Sequence, residues 1–89
     1  MISKSMIIVN ELGLHARAAA KVVSTANSYK SSITLKKDNK NADAKSIMKI
    51  LMLSASKGSS IDIVIDGNDQ DEAMRAIVKL FKNGFDEGL

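Results

Sequence analysis

The sequence predicts an α+β fold, an open-faced β-sandwich with a four-stranded antiparallel sheet carrying three helices on one face. Three observations predict it. Strand-like and helix-like stretches follow one another in the order β-α-β-β-α-β-α. One stretch, Ile61-Asp62-Ile63-Val64-Ile65-Asp66, alternates cleanly, with Ile61, Ile63 and Ile65 on one face. The chain has 89 residues, 45% apolar and 26% charged, enough for one core, so residues 1–89 form a single domain.

The elements follow in order. Met6-Ile7-Ile8-Val9 is apolar and partly β-branched and reads as a central strand. Asn10 to Leu14 forms a loop in which Gly13 supplies backbone freedom. Ala16 to Asn27 reads as a helix, with Ala16, Ala19, Ala20, Val23 and Ala26 as its buried stripe and Arg17, Lys21 and Ser24 opposite. Ser32 to Lys36 alternates as a half-buried strand, Asp38-Asn39 makes a tight turn, and Asn41-Ala42-Asp43 is a short return strand. Ser46 is a natural N-cap for a helix from Ile47 to Leu53, apolar almost all round. Lys57-Gly58-Ser59 turns into the alternating strand. Asp69-Gln70-Asp71-Glu72 has capping-box spacing and starts a helix with a stripe of Ala73, Ala76, Ile77, Leu80 and Phe81. Lys79 and Lys82 suit its last turns, and Gly84 can end it.

Composition narrows the chemistry. There is no cysteine, which excludes disulfides and thiolate metal sites. A single histidine with scattered carboxylates argues against a zinc site, so no metal or cofactor is expected. No apolar run reaches membrane-spanning length, and Met1-Ile2-Ser3-Lys4-Ser5 lacks a signal-peptide pattern, so the expected location is the cytoplasm, with no membrane partner. Net charge is +3, unevenly spread: residues 1–61 carry 10 basic and 3 acidic side chains, residues 62–89 carry 3 and 7. The basic part would steer an anionic ligand or an acidic protein. Nucleic acid is disfavoured as a partner, because Tyr29, Phe81 and Phe85 are not interleaved with the lysines.

The only histidine lies in Gly13-Leu14-His15-Ala16-Arg17, where a strand-like run gives way to a helical one. A phosphoryl acceptor must be exposed, unprotonated near neutral pH, and set where a dianion is tolerated. Imidazole meets the first two demands, and a helix N-terminus meets the third through its free N–H groups and dipole. With His15 as N-cap, the backbone N–H groups of Ala16 and Arg17 lie in the first turn. The Arg17 guanidinium adds charge-assisted bonds to phosphate oxygens. No nucleotide-binding loop is present, so the phosphate would come from another protein. The plainer reading of His15 is a surface histidine that caps a helix.

Asn10 through Ala19 closely resembles the active-site signature of HPr, the histidine-containing phosphocarrier family of the sugar phosphotransferase system. Ala44-Lys45-Ser46-Ile47-Met48 resembles the family's second signature, and element order and length match over the whole chain. The resemblance implies that His15 is phosphorylated on Nδ1 by enzyme I, using phosphoenolpyruvate, and passes the group to an enzyme IIA. It implies that Arg17 binds the phosphate. The chain would then be a carrier and not an enzyme in the turnover sense. Most family members have proline where this chain has Ala18; proline fits a first helical turn and alanine preserves the helix, so the site should survive.

Ser46 reads first as a helix cap, worth about 1 kcal/mol. In one branch of the family this serine is phosphorylated by a dedicated kinase, HPr kinase/phosphorylase, and the product acts on a catabolite-control transcription factor. The resemblance therefore implies a regulatory site at Ser46. Phosphate there would sit well on the helix N-terminus and weaken docking of an acidic enzyme I. The apolar helix is expected to bury Ile50 and Leu53 and to leave Ile47, Met48 and Leu51 for docking, with Lys21, Lys45 and Lys49 as a steering rim. Two other readings compete: a carrier in the nitrogen-related phosphotransferase branch, and a regulatory module controlled through Ser46 with His15 vestigial. A carrier that must show one histidine to successive partners is expected to be a monomer.

Overall fold

The computed structural model describes residues 1–87. Four strands, β1 (Ile2–Ile7), β2 (Ser32–Lys37), β3 (Lys40–Asp43) and β4 (Ser60–Asp66), form one antiparallel sheet in the order β1-β4-β2-β3. Three helices, α1 (Ala16–Ala26), α2 (Ile47–Leu51) and α3 (Gln70–Lys82), cover one face, and a short 3-10 turn spans Gly84–Asp86. No helix of the described residues is long and apolar enough to cross a membrane.

The alternation in β4 sets the layers. Ile61, Ile63 and Ile65 point inward with Ile33, Leu35 and Ala42, and all six are buried. They meet Ala18, Ala19, Val22 and Ala26 of α1, Ile50 of α2, and Ala73, Ile77 and Phe81 of α3 in one core. Ser3, Ser5, Asp62, Thr34 and Lys36 occupy the open face.

Three expectations are corrected. The first strand begins at Ile2 rather than Met6 and lies at an edge of the sheet; its apolar end is long enough for a central strand, but only Ile8, just past it, is fully buried. In α1 the buried stripe is rotated: Ala18 and Val22 are inside, while Ala16 and Ala20 are exposed and Val23 is half-buried. With His15 capping the helix, Ala16 is its first residue, in the open end turn. Asp69 caps no N–H of α3 with its side chain. Its carboxylate instead accepts from the backbone N–H groups of Lys30 (2.8 Å) and Ser31 (3.0 Å) and from the Ser31 hydroxyl. These bonds hold its carboxyl below the usual aspartate range, led by the Ser31 hydroxyl. A Cβ at Gly67 would lie 2.6 Å from Ser31 Cα, so only glycine admits this approach.

Candidate functional site

The loop before α1 is built to present His15. Gly13 has φ +67°, and a Cβ there would meet the Ala55 carbonyl oxygen at 2.5 Å. The Leu14 N–H donates to that same oxygen (2.9 Å), and the Leu14 side chain is buried. Buried Asn10 ties the loop from within: its carbonyl accepts the Gly13 N–H (3.2 Å) and its Nδ2 donates to the Gly13 carbonyl (2.9 Å). His15 is thereby fixed in extended conformation as the N-cap, its carbonyl accepting the Ala19 N–H at 2.8 Å.

The two ring nitrogens of His15 have different partners. Nδ1 accepts the backbone N–H of Arg17 at 3.3 Å. Nε2 meets Oε2 of Glu87. An Nδ1 that accepts leaves the ring proton on Nε2, which then donates to the carboxylate. The tautomer assigned by these bonds leaves Nδ1 unprotonated, its lone pair facing the Arg17 N–H. The second Glu87 oxygen accepts from Asn10 Nδ2 at 2.8 Å. That bond first, and then the hydrogen bond from His15 and the charge of Lys21, hold the Glu87 carboxyl below its ordinary range against the opposing effect of burial.

Glu87 reaches this position through an uncommon backbone. Gly84, Phe85 and Asp86 are all left-handed, with φ of 64°, 57° and 64°. A left-handed phenylalanine is strained and persists only where packing enforces it. Phe85 is fully buried and stacks edge-on against Phe81, ring centroids 4.9 Å apart. Lys21 Nζ donates to the Phe85 carbonyl at 2.7 Å and clamps the turn to α1.

His15, Arg17, Lys21, Glu11, Leu12, Asp86 and Glu87 line one open cleft. Arg17 is exposed and forms no ion pair among the described residues. Its guanidinium is therefore available to an incoming anion. No cluster of side chains able to hold a metal occurs among the described residues.

The chain's similarity to known proteins fits this geometry. A family model described as the PTS HPr component phosphorylation site matches residues 2–83. The chain belongs to the HPr family. It is 45% identical over 87 residues to the phosphocarrier protein HPr of Xylella fastidiosa, covering 98% of each chain. It is 44% identical over 88 residues to the HPr of Neisseria meningitidis serogroup A, covering 99% of each. The crystal structure of HPr-C-His from Thermoanaerobacter tengcongensis superposes with a TM-score of 0.95 at 43% identity, covering 100% of both chains. The chain is thus a phosphocarrier of the phosphotransferase system, and the fold predicted from its sequence is the HPr fold.

The remaining sequence-predicted residues fall in two groups. Ser46 caps α2, its hydroxyl accepting the Lys49 N–H at 3.3 Å. Ile47 (39% exposed) and Met48 (71%) are open to solvent. Leu51 is half-buried and packs on the core, because α2 ends there, and Met52 (65%) takes the outward place instead. Lys21 lies within the His15 cleft and Lys45 is drawn back, its Nζ donating to the Tyr29 carbonyl at 2.8 Å, so only Lys49 of the expected rim extends freely. Sequence reading assigned no role to Asn10, Leu12 or Glu87. Asn10 and Leu12 lie inside the signature that pointed to His15. Glu87 stands 72 positions from its partner, and no local pattern signals that contact.

Proposed function

We propose that His15 accepts a phosphoryl group on Nδ1 from phosphorylated enzyme I and passes it to an enzyme IIA. The observation that supports this most is the division of labour on the ring, with Nε2–H given to Glu87 and Nδ1 facing the N-terminus of α1. In the transfer the Nδ1 lone pair attacks phosphorus while the bond from phosphorus to the donor's leaving atom breaks. The ring proton stays on Nε2, and Glu87 balances the charge that develops on the imidazole. The N–H of Arg17, released from Nδ1, turns to a phosphate oxygen, with the Ala16 N–H and the Arg17 guanidinium as further donors. The group leaves by the reverse step, so the chain turns over no substrate of its own and acts as a carrier in the cytoplasm.

Exposed Ile47, Met48 and Met52 supply an apolar docking surface, with Lys49 steering an acidic partner. Ser46 is the reading's regulatory site. A phosphate on its oxygen would meet the N–H groups of α2 and leave the fold intact, while placing negative charge beside Met48.

The test is phosphorylation of the purified chain by phosphoenolpyruvate and enzyme I. The expected product is an acid-labile phosphoryl group that is absent from His15→Ala. An acid-stable product, or one that persists in His15→Ala, would refute the assignment.

A further inference from the structure

Basic side chains gather around β3. Lys30, Lys40, Lys45 and Lys49 line the grooves beside it against Asp43, while Lys37 pairs with Asp38 and Lys57 with Glu11. Two grooves flank this strand. The one toward the open face is lined by Lys30, Ser32, Thr34, Asn41, Lys45 and Lys49 among others. The one toward α2 is lined by Lys40, Asn41, Lys49, Met52 and Leu53. Asn41 and Lys49 belong to both, so the two grooves meet over the strand.

β3 is an edge of the sheet. The Ala44 N–H bonds to the Ile33 carbonyl at 2.8 Å, and antiparallel pairs alternate, so Ala42 and Lys40 also direct their backbone groups at β2. Asn41 and Asp43 direct theirs outward. Ser46 N–H takes the Asp43 carbonyl at 3.0 Å. The Asn41 N–H, the Asn41 carbonyl and the Asp43 N–H are left facing away from the sheet. Lysines along an edge discourage pairing with neutral or basic strands. They favour an acidic one.

We propose that the outer edge of β3 accepts an extended acidic segment of a partner protein as a fifth strand. Three backbone hydrogen bonds fix it to Asn41 and Asp43. Side chains of an added strand alternate between the two grooves. Carboxylates fall on the open-face side, toward Lys30 and Lys49. Apolar side chains fall on the α2 side, against Met52 and Leu53. The occupant is thus a segment that alternates acidic and apolar residues. The free groups are those that pair with a peptide backbone, and no aromatic ring stands among them to stack a base, so a peptide fits better than nucleic acid.

Titration of the nitrogen-15-labelled full chain with an acetylated, amidated pentapeptide alternating glutamate and valine tests the proposal. Saturable shifts are expected at the Asn41 and Asp43 amides. Asn41→Pro should abolish binding, since it removes an outward N–H and none from the β2–β3 ladder. Lys30→Glu should weaken it about fivefold, and decides the matter should the proline variant fail to fold. Equal binding by the lysine–valine counterpart would overturn the proposal. So would shifts centred on Arg17, tighter binding of an oligonucleotide at the same amides, self-association through them, or no saturable shift.

Discussion

Glu87 Oε2 meets His15 Nε2 across 72 residues of sequence, and Asn10 Nδ2 holds the other carboxylate oxygen at 2.8 Å. Asn10 also bonds to Gly13, so the carboxylate and the loop that carries the histidine share one anchor. The ring is positioned from both sides.

Glu87 is a positioning residue for Nδ1. Glu87→Ala is expected to lower the rate of phosphoryl transfer from enzyme I about tenfold, equivalent to about 1.4 kcal/mol of barrier. Glu87→Gln keeps an acceptor for Nε2–H and should recover most of the loss. Stopped-time transfer assays on both variants, with circular dichroism to verify folding, check this. A Gln variant as slow as the Ala variant would show that charge, not orientation, is the larger contribution.

Gly13→Ala should be damaging. The added Cβ meets the Ala55 carbonyl oxygen at 2.5 Å, and φ is +67°. A loss of about 1–3 kcal/mol is expected in urea unfolding, together with slower phosphorylation of His15.

Ala18→Pro, by contrast, should fold. Ala18 is the third residue of α1, where the backbone N–H needs no helical partner. It is fully buried, so the ring must find space in the core. Urea unfolding is expected to change by less than about 1 kcal/mol, with phosphoryl transfer retained.

Ser46→Ala removes the α2 cap and should cost about 1 kcal/mol, a fall in Tm of about 4–8 °C. Ser46→Asp restores a capping oxygen and should recover stability while slowing transfer from enzyme I. Thermal melts paired with transfer rates separate the two effects.

Acid should destabilise the fold through Asp69 and Glu87. Both carboxyls lie below their ordinary values, Asp69 through Ser31 and Lys30, Glu87 chiefly through Asn10. Their contribution is complete above the unfolded carboxyl range of about 4 and is lost as pH falls through the lower folded values. Urea midpoints measured from pH 6 down to pH 2 should fall, and Asp69→Asn should fall less steeply.

The strand–helix order and the inward isoleucines of β4 were readable because period-two and period-3.6 patterns record burial directly. The place of His15 and Arg17 at the start of α1 was readable because the loop and helix that carry them are contiguous. The face of α1 was misjudged because a run of alanines offers little contrast between inside and outside. Asp69 was misassigned because capping spacing is local, whereas its partners come from the loop before β2. Glu87 and Lys21 depend on a left-handed turn held by Phe85, a tertiary arrangement without a sequence period.

The central claim is that Nδ1 of His15 is the acceptor, with the proton on Nε2. Nitrogen-15 NMR of the histidine-labelled chain tests it directly, before and after phosphorylation by phosphoenolpyruvate and enzyme I. The account predicts a neutral ring with its proton on Nε2 rather than Nδ1, followed by phosphorus coupling to Nδ1. A proton on Nδ1 beforehand, or phosphorus coupling to Nε2 afterwards, would contradict it.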